Sequence, residues 1–195
     1  MKEPTIWLSH GAGAGHSSCF MTQFNQVLAD QFSTEIQAYT FDYMLQQELT
    51  GKRRPPPKFS LLVSEWQSDI PSGQNHLLIG KSMGGRVATQ LTKVDGVKGI
   101  ICLGFPFYPA GKPEKHRLAF FEALKVPCLV IQGTRDQMGN YDWVSQQTLP
   151  NQVDLVWVEG ADHDFKRLKK QNISLLETIQ ELASIIADWR IKHSI

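Results

Sequence analysis

The sequence has few cysteines, no marked excess of charge of either sign and no long hydrophobic run. Its 195 residues include three cysteines, Cys19, Cys102 and Cys128, an odd number without the C-x-x-C spacing of metal or redox sites. Two of them stand in strand-like runs, where a buried free thiol is the usual explanation. We therefore expect neither a disulfide nor a zinc site.

Positive and negative side chains are nearly balanced, with 20 Lys and Arg against 19 Asp and Glu and a net charge of +1. Nucleic acids and anionic membranes bind to a concentrated positive face, so we expect neither as a partner. The one basic cluster is GKRRPPPK at 51–58. It is either a solvated loop stiffened by proline or the anion-recognising edge of a pocket, with Arg54 as a candidate substrate contact.

No hydrophobic run approaches the roughly 20 residues that a membrane span needs. Residues 1–9 are too short and too polar for the apolar core of a signal peptide, so we expect a cytoplasmic protein. Hydrophobic residues make up 42% of the chain, which excludes disordered and fibrous classes. The length predicts one domain over 1–195, long enough to bury roughly 70% of its unfolded surface.

Six short apolar runs have the length and β-branched character of strands. They cover residues 5–9, 35–41, 76–80, 97–104, 128–133 and 153–159. Several are apolar at successive positions, which indicates strands covered on both faces of a parallel sheet. Segments with helical spacing lie at 17–32, 59–70, 83–93 and 174–193. The alternation predicts a three-layer α/β fold with about six mainly parallel strands and helices on both faces.

A G-x-S-x-G pattern, GKSMG at 80–84, follows the third predicted strand. The pattern alone is weak evidence, but here an apolar strand precedes it and a helical segment follows it without a spacer. This strand-turn-helix arrangement exposes a strained serine, and small residues two positions on either side allow the turn to close. Gly80 and Gly84 fill those positions, so the context predicts Ser82 as a nucleophile.

A serine hydroxyl is a poor nucleophile unless a histidine accepts its proton and a carboxylate orients that histidine. The expected chain order is Ser, then Asp or Glu, then His, each on a loop at the carboxyl end of a strand. Asp136 follows the strand at 128–133, and His163 follows the strand at 153–159. The sequence therefore predicts a triad of Ser82, Asp136 and His163.

Other acids and histidines have simpler interpretations. Asp162 and Asp164 flank the predicted base, but neighbouring side chains on an extended loop point apart, so we interpret them as turn formers or a helix cap. Asp142 is expected to open a helix. His10 and His16 bracket a glycine-rich loop, and the sequence lacks a second pair with metal-ligand spacing. We expect neither a metal nor an organic cofactor.

The loop HGAGAGH at 10–16 is compatible with two kinds of site. A dinucleotide site uses G-x-G-x-x-G or a final alanine, but the final position holds His16 when the pattern starts at Gly11 and Ser18 when it starts at Gly13. Asp42, after the second strand, could supply the acid of such a site, so this weaker interpretation stays open. The loop also fits an oxyanion hole, whose other donor is the N–H after the nucleophile, on Met83.

The sharp turn around Ser82, which we call the elbow, the loop of Asp136 and the loop of His163 together resemble the α/β-hydrolase superfamily. The motifs SHGAGAGHSS, FDYM, GKRRPPP, GKSMGGRVA, LGFPFYPAGKPEK and IQGTRDQMG narrow the resemblance. They are similar to the small α/β-hydrolase-like family that includes testis-expressed protein 30 and the third subunit of the NSL chromatin complex, related to dienelactone-hydrolase-like enzymes. The similarity spans nearly the whole chain and implies a trimmed fold without the two N-terminal strands of larger members.

The resemblance implies roles for individual residues. Ser82 would be the nucleophile, His163 the base and Asp136 the orienting acid. The backbone N–H groups of Ala12 and Met83 would form the oxyanion hole. The resemblance supplies no substrate.

The segment between Gly104 and Pro127 is too short for a lid domain, which favours a shallow site for small or accessible acyl substrates. Phe105, Phe107 and Tyr108 either line the acyl side of that site or only pack the loop. We therefore expect a serine hydrolase that cleaves an ester, thioester or similar acyl bond of a small molecule. The alternative is a catalytically idle binding or scaffold protein with the same fold, as the chromatin subunit illustrates.

Overall fold

The computed structural model describes residues 3–195, and in this part of the chain six strands form one parallel sheet. The strands are β1 (Thr5–Ser9), β2 (Ile36–Tyr39), β3 (His76–Lys81), β4 (Val97–Leu103), β5 (Cys128–Gly133) and β6 (Val153–Val158). Their order across the sheet is β2-β1-β3-β4-β5-β6. The predicted α/β class with six parallel strands is confirmed.

Helices cover both faces of this sheet. They are α1 (Cys19–Phe32), α2 (Asp42–Thr50), α3 (Phe59–Asp69), α4 (Met83–Ala88), α5 (Tyr141–Val144) and α6 (Leu175–His193). Three 3₁₀ turns, Pro113–Lys115, Leu118–Phe121 and Lys169–Gln171, add to them. None of the helices in residues 3–195 is long and apolar enough to cross a membrane.

The inner strands are buried on both faces, which explains their unbroken apolar sequence. In β4, Ile100 and Cys102 pack with residues of α2, α3 and α4. Their neighbours Ile101 and Leu103 pack on the other face with residues of α1 and α6. Successive residues of one strand therefore belong to two separate cores.

Two predicted elements are shorter than expected by three residues or more. The strand expected at 35–41 ends at Tyr39, because the chain turns at Phe41 into α2. The helix expected at 83–93 ends at Ala88, and the Thr89 hydroxyl donates to the carbonyl oxygen of Arg86 at 2.7 Å. Helix α2 was not predicted, since it buries only Tyr43 and Met44 and therefore shows little apolar periodicity.

The segment between β4 and β5 folds as two 3₁₀ turns against the sheet and not as a separate lid domain. Phe121 anchors it and is fully buried. Because all strands are parallel, the loops after β1, β3, β5 and β6 lie at one edge of the sheet. The predicted oxyanion loop, nucleophile, acid and base are on these four loops.

Candidate active site

Ser82 lies in a sharp turn between β3 and α4. Its φ is 51° and its ψ is −108°, a strained conformation for a residue with a side chain. A Cβ on Gly80 would overlap the backbone of Gly84 and Gly85, and a Cβ on Gly84 would overlap the Ser9 side chain and the His10 carbonyl. Glycine at both positions therefore lets the turn close, as the elbow pattern predicts.

Ser82, His163 and Asp136 form a continuous chain of hydrogen bonds. The Ser82 Oγ lies 3.0 Å from His163 Nε2, and His163 Nδ1 lies 2.7 Å from Asp136 Oδ2. The carboxylate can only accept, so Nδ1–H donates to it and Nε2 is left to accept the serine proton. This arrangement can remove a proton from Ser82 as its oxygen attacks an electrophile.

The Asp136 carboxylate is fully buried and has two further donors. The Met138 N–H donates to Oδ1 at 2.7 Å, and the Gln132 side-chain amide donates to Oδ2 at 2.9 Å. A buried carboxylate is costly unless such donors compensate it. The sequence analysis did not identify Gln132, although a polar glutamine near the end of the otherwise apolar β5 was a signal for it.

The acids that flank His163 do not reach its ring. Asp162 Oδ1 accepts the backbone N–H groups of Asp164 and Lys166, both at 2.9 Å, and so shapes the turn. The Asp164 side chain is 64% exposed. Asp142 lies in the first turn of α5.

Lys81, immediately before the nucleophile, is a further residue that the sequence did not single out. Its ammonium donates to the His163 carbonyl oxygen at 2.7 Å and lies over the rings of Phe20 and Phe165. Burial lowers the pKa of Lys81. A lysine at the buried end of a strand was the signal for this contact.

His10 holds the glycine-rich loop in place. Its Nδ1–H donates to the Gly11 carbonyl at 2.7 Å, and its Nε2 accepts the Phe41 N–H at 3.1 Å. Burial lowers the pKa of His10 to about 4, so the ring is neutral and this tautomer is fixed by its partners. The Tyr43 hydroxyl donates to the Ala12 carbonyl at 3.1 Å and fixes the next residue.

His16 tethers the other end of the loop, because its Nε2 is 3.0 Å from the Tyr39 carbonyl oxygen. Burial lowers the pKa of His16. Within residues 3–195, no group of three or more His, Cys, Asp or Glu side chains is arranged to hold a metal ion.

Ala12, Ser82 and Met83 line one cavity of about 310 Å³. Among the described residues, the backbone N–H groups of Ala12 and Met83 have no hydrogen-bond acceptor within the protein. Two free donors beside a nucleophile can stabilise a negative oxygen that develops there.

A second cavity of about 570 Å³ lies on the other side of Ser82. Ala12, Ser82 and Met138 line both cavities, whereas His163 and Lys81 line only the larger one. The serine therefore stands on a ridge between two compartments.

The predicted substrate contacts Phe105, Phe107, Tyr108 and Arg54 do not line either of the two cavities beside Ser82. Phe105 and Phe107 are fully buried and Tyr108 is 5% exposed, and these three residues at the start of the segment between β4 and β5 pack in the same core as Phe121 of its second 3₁₀ turn. The backbone N–H of Tyr108 donates to the Met138 carbonyl at 3.1 Å and so supports Met138, which lines both cavities. Arg54 lines a separate depression formed with α2 and α3.

Solved structures with the same fold include hydrolases from several organisms. The dienelactone hydrolase of Anabaena variabilis is 20% identical, with 97% of this chain and 86% of that chain covered and a TM-score of 0.63. The esterase domain of a Rhodothermus marinus protein is 14% identical, with 96% and 86% covered and a TM-score of 0.63. A serine hydrolase homologue from Coxiella burnetii is 16% identical, with 94% and 85% covered and a TM-score of 0.62.

No curated protein matches the chain in sequence. At such identities the solved structures establish the fold alone. The α/β-hydrolase domain family, by contrast, matches residues 2–191 in sequence. The chain therefore belongs to the α/β-hydrolase domain family.

Proposed function

We propose that the protein is a serine hydrolase that cleaves a small ester, thioester or related acyl bond. The observation that carries this proposal is the hydrogen-bond chain from Ser82 through His163 to the buried Asp136, with its serine on a ridge between two open cavities. Such a chain provides a nucleophile, a base and an orienting carboxylate in contact with substrate-sized space.

The reaction takes place in two halves. Ser82 Oγ attacks the carbonyl carbon while His163 Nε2 accepts the hydroxyl proton and Asp136 stabilises the imidazolium. The carbonyl oxygen becomes negative and accepts hydrogen bonds from the N–H groups of Ala12 and Met83. His163 then donates its proton to the leaving oxygen or sulfur, which departs and leaves an acyl group on Ser82.

In the second half, His163 removes a proton from water, and the resulting hydroxide attacks the acyl carbon. Collapse of this second tetrahedral intermediate returns the proton to Ser82 and releases the carboxylic acid. The neutral ring of His10 supports both halves, because it fixes the carbonyl of Gly11 and with it the loop that carries the Ala12 donor.

Three narrower points belong to the same proposal. The chain is a member of the group around testis-expressed protein 30 and the third NSL subunit, on the strength of the shared motifs. Residues 1–195 act as one catalytic domain, and the protein works in the cytoplasm, where its free cysteines would stay reduced.

The test is turnover of 4-nitrophenyl acetate, butyrate and octanoate and of an acyl thioester, with Ser82→Ala as the inactive variant. We expect hydrolysis of the shorter substrates and a loss of at least about 1,000-fold in kcat for the variant. Ser18→Ala, which changes a serine in the larger cavity without a histidine partner, is the matched control. Absence of turnover, together with a stable protein partner in a pull-down, would support a scaffold and contradict the proposal.

A further inference from the structure

The smaller cavity beside Ser82 carries positive charge without a compensating acid. Arg86 and Arg117 both line it, and its wall contains no Asp or Glu. Neither arginine has an ion pair with any residue in 3–195. Two partly buried like charges repel each other, so an anion bound between them would remove an electrostatic cost that the protein alone leaves in place.

The Arg86 guanidinium is positioned by rings and not by acceptors. It lies 4.6 Å from the Phe59 ring centroid and 4.9 Å from that of Phe120, so both rings fix its plane. Its Nε is buried and has no hydrogen-bond partner among the described residues. Because Nε is closed to solvent, an acceptor from outside would bind the two terminal nitrogens of the guanidinium, which also have no hydrogen-bond partner among the described residues.

Arg117 comes from the segment between β4 and β5 and completes the pair. Its Nη1 donates to the Pro106 carbonyl at 2.8 Å, which fixes the side chain at the cavity wall. Burial, and after it the charge of Arg117, lowers the pKa of Arg86 to about 10. An arginine side chain in a protein stays protonated at neutral pH, so both groups are positively charged.

The position of the histidine identifies which part of a substrate would meet the arginines. His163 lines the larger cavity and must donate its proton to the leaving group, so that group departs on the larger side. The acyl chain then occupies the smaller cavity. Arg86 lies one helical turn after Ser82, because its N–H donates to the Ser82 carbonyl at 3.2 Å, so the distance to be spanned is short.

We propose that the enzyme prefers short acyl groups that end in a carboxylate, which Arg86 and Arg117 bind in the smaller cavity. This inference rests on the proposed function and specifies its substrate class. Hydrolysis would release a dicarboxylic acid from the acyl side and a neutral alcohol or thiol from the leaving side. A guanidinium pair suits a planar carboxylate, which accepts two parallel N–H bonds.

The experiment compares two substrates of matched shape in the same protein. The first is the mono-4-nitrophenyl ester of glutaric acid, and the second is 4-nitrophenyl 5-methylhexanoate, whose branched end copies the carboxylate without its charge. We expect the ratio of their kcat/KM values to favour the glutarate by about tenfold or more. Rates in Ser82→Ala are subtracted, since the glutarate ester also hydrolyses by itself.

Arg86→Gln and Arg117→Gln should each bring that ratio close to one, and Arg117→Lys should retain part of it. Because the ratio is taken within one variant, a partly unfolded sample lowers both rates and leaves the ratio unchanged. Arg53→Gln removes the same charge from an exposed position outside the cavity and should keep the wild-type ratio.

Three results would overturn this inference while the proposed function stands. The first is Ser82-dependent hydrolysis of both esters at equal kcat/KM, and the second is a ratio that stays at the wild-type value in both Arg86→Gln and Arg117→Gln. The third is a ratio that falls as far in Arg53→Gln as in those two variants. A fourth would be an equal increase in kcat/KM when the negative charge is on the leaving group, measured with the 3-carboxy-4-nitrophenyl ester of 5-methylhexanoic acid. Absence of any Ser82-dependent hydrolysis would instead overturn the proposed function and this inference with it.

Discussion

The Lys81 ammonium donates a hydrogen bond to the backbone carbonyl oxygen of His163, with 2.7 Å between Nζ and O. The residue before the proposed nucleophile therefore holds the loop of the proposed base. This contact joins the end of β3 to the loop after β6, two segments that are far apart in sequence. We interpret Lys81 as a positioning residue, because its donor acts on His163 through the main chain.

Lys81→Met should lower kcat for a neutral ester by between about tenfold and 100-fold, since His163 loses its tether and small misplacements of a base are costly. KM should change less, because a neutral ester has no charge for the ammonium to bind. Lys81→Arg keeps a donor and should recover part of kcat. An unchanged kcat with a raised KM would show instead that Lys81 binds substrate.

Asp136→Asn should lower kcat by about 1,000- to 10,000-fold with little change in fold. The amide can present a donor to His163 Nδ1 and so favours the tautomer that cannot accept the Ser82 proton. Asp162→Asn is the matched control, since this neighbouring acid only accepts backbone N–H groups in its turn. Equal losses in the two variants, measured by steady-state kinetics, would contradict the assignment of Asp136.

Gln132→Leu tests the support of the buried carboxylate. The change removes the amide that donates to Asp136 at 2.9 Å and to the Gly139 carbonyl at 3.1 Å. We expect the free energy of unfolding in urea to fall by about 1–3 kcal/mol, because buried acceptors lose their donor. A stability equal to that of the wild type would mean that water replaces the amide without cost.

The buried His10 predicts a pH dependence of stability. Its folded-state pKa is about 4, below the ordinary value of 6.5, so the unfolded chain binds more protons between these values. Stability is therefore fully present above about pH 6.5 and is lost as pH falls towards 4. From one such group the expected loss between pH 7 and pH 5 is about 2 kcal/mol.

His10→Asn should flatten this dependence, and urea unfolding at pH 5, 6 and 7 measures it. His16 contributes in the same direction, since burial lowers its pKa as well. In the His10→Asn variant, the free energy of unfolding should therefore still fall with decreasing pH, but less steeply than in the wild type. A slope as steep as that of the wild type would show that other groups account for acid destabilisation.

Local sequence patterns were sufficient to predict much of the fold and the order of the proposed triad. Each of the six strands is a compact apolar run, and the elbow requires glycines at fixed positions around Ser82. The acid and base loops follow from the rule that functional loops leave the carboxyl ends of parallel strands. These features depend on neighbours in the chain, which a single sequence displays.

Contacts between distant segments were not predictable in the same way. Arg86 and Arg117 meet only because the segment between β4 and β5 folds over α4, and no spacing rule relates the two positions. The aromatic residues Phe105, Phe107 and Tyr108 illustrate the converse. Their place after a strand end suggested a cavity wall, whereas the core beneath the 3₁₀ turns buries all three rings.

The most direct test of the account is labelling with a fluorophosphonate probe, which reacts only with an activated serine, followed by mass spectrometry of the labelled peptide. We predict stoichiometric labelling at Ser82 of the wild-type protein, none in Ser82→Ala, strongly slowed labelling in Asp136→Asn and unchanged labelling in Ser18→Ala. Folded wild-type protein that stays unlabelled, or Ser82→Ala that is labelled equally, would contradict the assignment of Ser82 as the nucleophile.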